Sequence, residues 1–261
     1  MDGPKYGDDI LLYDGKGKSW LIRLVEDGVF HTHKGRILHS DIVDAGYGGI
    51  VKSDKGSIFY VLRPTIYDYI MKSPRPTQIV YPKDIGYIIF KLGIRPGSKI
   101  LEVGMGSGAV TSALLEIVGE NGFVDTYERR RDITWKTIKY LARASPKGLV
   151  NLNIHELDFR DASPPQKYYD AAVVDIDEPW AILDKVHQSL KPWGRIAVVV
   201  PTYNQLDKLE PEIKKNFTHL EAIEISIREL QFKRGRIRPE FRMIGFTAIL
   251  ITGAKIEAEN K

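Results

Sequence analysis

The stretch Lys99-Ile100-Leu101-Glu102-Val103-Gly104-Met105-Gly106-Ser107-Gly108-Ala109-Val110-Thr111 decides how this chain folds. An apolar strand runs into three alternating glycines, and a helical run over 109–118 follows. Glycines at such a turn let the backbone bend tightly and approach a ligand at the carboxyl end of a strand, where open α/β sheets bind. No Gly-Lys-Ser/Thr follows, so the loop is not a phosphate P-loop. The third glycine comes two residues after the second, where a dinucleotide fingerprint wants three. Glu102 would sit badly near a pyrophosphate and suits a cationic ligand. S-adenosylmethionine, with its ammonium and sulfonium groups, is such a ligand.

Outward from the loop, strands and helices alternate. Helices are expected over 82–92, 109–118, 130–144 and 180–190, and strands over 99–103, 122–127, 150–155, 169–175 and 195–200. That order predicts an α/β fold, a Rossmann-like parallel sheet covered on both faces. After a helix over 205–216, strands over 222–227 and 244–250 predict an antiparallel pair at one edge. Residues 1–72 read mostly as short strands punctuated by glycines, a small N-terminal β domain of barrel or sandwich type. Residues 73–81, with Pro74 and Pro76, read as a linker. Residues 82–255 form the larger domain, and 256–261 a tail.

Composition narrows the classes. The chain has 261 residues, 38 Lys and Arg against 34 Asp and Glu, and a net charge of +4. It has no cysteine, which excludes a disulfide scaffold, a cysteine–zinc site, an iron–sulfur cluster and a cysteine nucleophile. No apolar run reaches the length of a membrane span. The N-terminus has charges where a signal peptide has its apolar stretch, so a cytoplasmic protein is expected.

Two further acids fall in register with the glycine loop. Glu128 ends the strand after the loop, at the position where Rossmann-like folds place a carboxylate on ribose hydroxyls. Its plainer reading is a helix N-terminal acid. Asp158 follows the next strand and could meet an adenine amino group; its plainer reading is a helix cap.

The glycine loop resembles the cofactor loop of class I S-adenosylmethionine-dependent methyltransferases. It is especially close to the tRNA (adenine-N1)-methyltransferases that act on the T-loop adenine at tRNA position 58, the TrmI-like family. Tyr81-Pro82-Lys83-Asp84 resembles the family's Y-P-K-D at the start of the catalytic domain. Val174-Asp175-Ile176-Asp177-Glu178-Pro179-Trp180 resembles its D-x-x-E-P-W motif. Arg238-Pro239-Glu240-Phe241-Arg242-Met243-Ile244-Gly245-Phe246-Thr247 resembles its C-terminal R-P-x-x-R-M-I-G-H-T segment. Asp177 stands where the family usually has an apolar residue or proline, and Phe246 replaces a common histidine. The resemblance implies a class I methyltransferase sheet, S-adenosyl-L-methionine as cofactor, tRNA as partner and a homotetramer. It also implies modification at position 58, and in archaeal members at 57. Glu102, Gly104, Met105, Gly106, Ser107, Gly108, Ala109, Val110, Glu128, Asp158 and Asp175 are the expected cofactor-binding residues.

Methyl transfer to adenine N1 needs alignment more than a base, because that nitrogen carries a lone pair and no proton. The product is cationic, and a carboxylate at its edge would stabilise the growing charge. Asp175, ending a strand at the active face, is the candidate; a strand-end or capping acid is the alternative. Tyr81 could stack on a flipped adenine, or serve as a hydrophobic staple ahead of Pro82. Trp180 reads as core. No metal-ligand spacing occurs, and the displacement needs no metal.

Two basic clusters could meet RNA. Residues 129–147 carry seven basic side chains against Asp132, and 228–242 carry six against Glu229 and Glu240. The first is equally a solvated face. The second has Phe232 and Phe241 interleaved, so Arg234, Arg236, Arg238 and Arg242 are the expected RNA contacts. Two other functions compete: a class I methyltransferase with a protein or small-molecule substrate, and a non-catalytic RNA-binding partner on the same fold. The first of these would not explain Tyr81-Pro82-Lys83-Asp84 together with the Arg238 segment. The second is at odds with the intact glycines, Glu128 and Asp175.

Overall fold

The computed structural model describes residues 3–72, 77–145, 149–232 and 234–257. The chain forms two compact units, Met1–Pro74 and Arg75–Lys261. Residues 73–76 of the expected linker and 258–261 of the expected tail lie outside the described residues.

The first unit contains strands β1 (Asp9–Tyr13), β2 (Ser19–Arg23), β3 (Val29–Thr32), β4 (Gly35–Leu38), β5 (Ile50–Lys52) and β6 (Ile58–Leu62), with helices α1 (His39–Ala45) and α2 (Ile66–Lys72). An antiparallel sheet runs β2-β1-β6-β5, and β3 pairs with β4 as a separate hairpin. Its core is Ile10, Leu12, Leu24, Ile37, Ile42, Val51, Phe59 and Val61, with Trp20 packed edge-on to Phe30. A barrel or sandwich is therefore corrected to one small sheet, a hairpin and two helices. Each helix has seven residues, too short to show a 3.6-residue period.

The second unit is built on a seven-stranded sheet. Its elements are α3 (Pro82–Leu92), β7 (Lys99–Val103), α4 (Ala109–Val118), β8 (Phe123–Tyr127), α5 (Arg131–Ala144), β9 (Leu152–His155), β10 (Tyr169–Val174), α6 (Leu183–Ser189), β11 (Leu190–Val200), α7 (Tyr203–Ile213), β12 (Phe217–Glu224), β13 (Leu230–Gln231), β14 (Arg238–Pro239) and β15 (Ile249–Lys255). The sheet order is β12-β15-β11-β10-β7-β8-β9. β9, β8, β7, β10 and β11 are parallel, and β15 is antiparallel to both β11 and β12. The order reverses between β7 and β10, which opens a ligand crevice at their carboxyl ends.

Local chemistry explains the boundaries. Pro82 opens α3 where its missing N–H costs nothing, and Gly93 closes it in the left-handed region. On α5, Ile133, Thr134, Thr137, Leu141 and Ala144 are buried, which leaves Arg131, Lys136 and Lys139 on the outer face. The first basic cluster is thus largely a helix's solvent face; Lys147 lies outside the described residues.

Three expected elements move. The helix over 180–190 is a 3-10 turn at Pro179–Ile182 followed by α6. The strand over 222–227 lies earlier, at β12, and that over 244–250 later, at β15. β15 lies between two strands and is buried through Ile251, Thr252 and Gly253, so its polar and glycine positions hid it. Ile244 and Phe246 look like strand residues but are exposed on the segment ahead of it.

Under the sheet's cofactor-side half, Tyr169 donates to Asp125 at 2.6 Å, and Asn153 donates to the other Asp125 oxygen at 2.7 Å. Tyr169 is fully buried, and its hydroxyl is pushed up by burial and by the Asp125 charge. Tyr169→Phe is expected to cost about 1–3 kcal/mol, because a buried carboxylate oxygen loses its donor. Urea unfolding measures it.

Candidate active site

The glycine loop lies at the sheet's reversal point. Gly104 follows β7 with φ +96°, and a Cβ there would fall 2.1 Å from the Asp175 carbonyl oxygen. Only glycine lets the loop and the end of β10 come this close. Thr137 on α5 donates to the Gly106 carbonyl at 2.6 Å, and Glu128 accepts from the Gly106 N–H at 3.0 Å. The loop is thereby held from both sides.

Two cavities flank it. One of about 380 Å³ is lined by Glu128, Arg129, Arg130, Asp158, Phe159 and Arg160 among others. The other, about 290 Å³, is lined by Met105, Gly106, Ser107, Ala109 and Val110, and opposite them by Thr77 to Val80, Asp84, Gln205 and Thr247. Gly104, Arg130, Asp175, Ile176 and Asp177 border both. The two volumes together are of the size that holds a nucleoside-sized cofactor and a base.

Asp175 projects where the cavities meet. The residue is exposed, yet protein surrounds its carboxyl closely. That crowding pushes it up to about 6; the charges of Asp177 and Glu128 add to the shift, and Arg130 opposes it. Glu128 is buried. Burial pushes it up, but the Arg130 guanidinium and the Gly106 and Arg130 N–H groups outweigh that and hold it below the usual range. Arg130 reaches both Glu128 oxygens, at 2.9 and 3.2 Å. Asp158 caps the turn Phe159–Asp161 and is held at about 2, chiefly by its bonds from Arg160. Both the capping role and the cavity lining are thus present in one residue. Arg129 spans Asp158 and Asp177 at 3.8 and 3.2 Å, and Arg160 spans Asp158 and Glu178 at 2.7 and 3.4 Å. These arginines tie together the loops after β8, β9 and β10.

Three expected residues are placed differently. Gly108 lines neither cavity, and a Cβ on it would meet Thr137, Tyr140 and Leu141 of α5. Glu102 is not among the residues lining either cavity. It is buried beneath the loop and accepts from the Thr111 hydroxyl at 2.7 Å. Burial pushes it up to about 8, with the Thr126 and Thr111 hydroxyls pulling the other way. At neutral pH it is mostly protonated, so it is no anionic wall for a cation. Its native value lies above its unfolded one near 4.5, so its stabilising protonation is complete below pH 4.5 and is lost as pH rises through 8. Glu102→Gln is expected to match the wild type near pH 5 and exceed its stability by roughly 2–4 kcal/mol above pH 8, by chemical denaturation. Tyr81 is the extended residue capping α3 and also lies outside both linings. Trp180 packs partly buried against the core, as its position led one to expect.

Arg234, Arg236, Arg238 and Arg242 lie exposed on an arm between β12 and β15 that carries the β13–β14 hairpin. None of them lines either of these cavities. Phe232 and Phe241 are 89% and 79% exposed beside them, and Arg238 lies over the Phe241 ring at 4.7 Å. Lys233 is outside the described residues. Asp84, Arg130, Gln205 and Thr247 complete the cavity walls without having been singled out by sequence. Asp84 and Thr247 stood at the ends of quoted motifs; nothing in the sequence marked Gln205.

A Rossmann-like sheet with this glycine loop, an acid ending β8 and an acid ending β10 defines the class I S-adenosylmethionine-dependent methyltransferases. The residues fit that cofactor, since the cradle admits no Cβ at Gly104 and acids border the space beside it. The model of the family described as the tRNA methyltransferase complex GCD14 subunit matches residues 57–243, and a TrmI-like N-terminal model matches 4–51. The chain belongs to this tRNA methyltransferase family. It is 33% identical to the Thermus thermophilus tRNA (adenine(58)-N(1))-methyltransferase TrmI, covering 93% of this chain and 94% of that one. It is 32% identical to the Methanocaldococcus jannaschii tRNA (adenine(57)-N(1)/adenine(58)-N(1))-methyltransferase TrmI, covering 95% of each. A Thermotoga maritima crystal structure described as an S-adenosylmethionine-dependent O-methyltransferase superposes with a TM-score of 0.93 at 32% identity, covering 100% of this chain and 97% of that one.

Proposed function

We propose that this enzyme transfers the methyl group of S-adenosyl-L-methionine to N1 of the T-loop adenine at position 58 of tRNA. The observation that carries the proposal is Asp175, an acid bordering both cavities beside the glycine loop. The whole-chain likeness to the Thermus enzyme supports the choice of adenine. The name of the Methanocaldococcus relative supports position 57 as a further target.

Gly104, Met105, Gly106, Ser107, Ala109, Val110, Glu128 and Asp158 would hold the cofactor, which supplies an electrophilic methyl group on a sulfonium; Gly108 lets the loop pack on α5. Glu128 already accepts four contacts, from the N–H groups of Gly106 and Arg130 and from the Arg130 side chain. Four contacts fill a carboxylate's acceptor sites. For Glu128 to accept from ribose hydroxyls, Arg130 would have to give up its side-chain contacts. The chain's remaining work is to align the adenine for an in-line displacement and keep it out of its stack. Asp175 needs to take no proton. As a carboxylate it can accept from the adenine amino group and stabilise the positive charge that spreads over the ring. Tyr81, at the head of α3, is a candidate to hold the base once substrate is present.

The same reading assigns the exposed arm to tRNA, through Arg234, Arg236, Arg238 and Arg242 with Phe232 and Phe241. Affinity for tRNA should then fall steeply between low and moderate salt. Exposed apolar side chains on this arm, including Ile227, Leu230, Ile237 and Ile244, support assembly into a homotetramer. Light scattering tests that state. A cytoplasmic site of action accompanies the tRNA substrate.

The decisive experiment incubates the protein with labelled S-adenosylmethionine and an unmodified tRNA transcript, then identifies the methylated nucleoside by mass spectrometry. 1-Methyladenosine that disappears when the position 58 adenine is replaced is the expected result. Label that persists points to position 57. No RNA methylation despite cofactor binding would turn the search to another acceptor.

A further inference from the structure

A closed ring of three side chains joins the start of α3 to the root of the arm. Lys83 Nζ donates to Asp84 Oδ1 at 2.7 Å and to Thr247 Oγ1 at 2.6 Å. The Thr247 hydroxyl in turn donates to Asp84 Oδ2 at 2.8 Å. Asp84 is fully buried and the Lys83 side chain is 9% exposed. Lys83 and Asp84 are neighbours in sequence, whereas Thr247 lies 163 residues beyond Asp84.

An adjacent Lys–Asp pair buried under a helix start is a poor device for stability, because desolvation offsets most of the attraction. A fully satisfied polar ring instead selects one arrangement of the elements it joins, since each partner lost leaves a buried group unpaired. The elements joined here matter. Asp84 and Thr247 both line the cavity that faces the glycine loop, alongside Val80 and Ala248. Thr247 is also where the arm carrying Arg234 to Arg242 re-enters the fold, two residues ahead of β15. The ring therefore stands between the surface assigned to RNA and the wall of the cavity that holds Asp175. Each Asp84 oxygen is already bonded, and the Thr247 hydroxyl both donates and accepts, so no chemical step falls to these groups.

We propose that Lys83, Asp84 and Thr247 are positioning residues for the RNA substrate. They lock the root of the arm against the cavity wall, so that a base presented by arm-bound RNA is registered on Asp175 and the glycine loop. The proposal rests on the methyltransferase reading above.

Thr247→Val keeps the shape and removes two of the three bonds; Thr247→Ser keeps all three. Cofactor affinity by calorimetry, melting temperature, and kcat and KM on a tRNA transcript are measured for each. Misregistration by Thr247→Val is expected to lower kcat on tRNA by about tenfold to a hundredfold. Cofactor affinity should stay within about twofold, and Thr247→Ser should restore most of the turnover. Asp84→Asn, which keeps the volume but puts an amide donor in the ring, should show the same split and stands in if Thr247→Val fails to fold. Undiminished kcat in both variants overturns the proposal. So does a loss of cofactor affinity in step with turnover, which would make the ring a support for the fold alone. A wild-type enzyme that makes no methylated RNA would instead fail the underlying reading, an outcome visible before any variant is tested.

Discussion

Asp175→Ala is expected to lower kcat on tRNA by about a hundredfold to a thousandfold. The side chain stands where the two cavities meet, so its loss removes the carboxylate facing the charge that develops on the base. Cofactor affinity, measured by calorimetry, should change far less, because Glu128, Asp158 and the glycine loop remain. Asp175→Asn should be nearly as damaging, since the amide keeps the shape and loses the charge. Full activity in either variant would remove Asp175 from the mechanism. The pH profile offers an independent check. Crowding raises the carboxyl to about 6, and the active form is the ionised one. Hence kcat/KM, which reports the free enzyme, should rise with pH through about 6 and then level off. The Asp177 charge is the next cause of that elevation after burial. Asp177→Asn should therefore move the acid limb to lower pH while preserving the plateau. An unchanged limb would mean that another group sets it.

Gly104→Ala is expected to abolish measurable cofactor binding. Two costs coincide at this residue. Its φ of +96° is one that a residue with a Cβ rarely adopts, and the added carbon would lie 2.1 Å from the Asp175 carbonyl oxygen. That neighbour is backbone and cannot rotate aside, so the loop and the end of β10 must separate. Separation would open both cavities at the point they share and displace Asp175. Loss of cofactor affinity by at least about a hundredfold, or roughly 3 kcal/mol, is the expected calorimetric result. Gly97 makes a control, because it too has positive φ (+85°) but has nothing within 4 Å of a Cβ. Gly97→Ala should lower the melting temperature modestly and leave cofactor binding intact. Equal losses in both variants would assign the effect to backbone strain and not to the close approach.

Much of this site was legible because its signals are local. Strand, glycines and helix over 99–118 announce their own conformation, and Pro82 marks the start of α3. The acids Glu128 and Asp175 could be named because each ends a strand of a parallel sheet, and all such ends lie on one side. Local patterns failed where a residue's neighbours come from far along the chain. Glu102 reads as a charged wall beside the glycines, but β7 turns its side chain beneath the loop, where burial leaves it mostly neutral. The last strand was misplaced because Gly253 looks like a breaker and Thr252 is polar, whereas pairing on both sides makes them interior.

The sequence by itself determined the alternation of strands and helices from α3 to β11, the loop that admits a cofactor and the acids beside it. Those depend on residue spacing and backbone preference, which act over a few positions. Only the tertiary structure decided that Asp175 stands against Gly104 at the reversal of strand order, that Arg130 occupies Glu128, and that Thr247 closes a ring with Lys83 and Asp84. Each of those contacts joins groups whose meeting depends on how the sheet and its loops pack, and both the acidity of Asp175 and the neutrality of Glu102 follow from that packing.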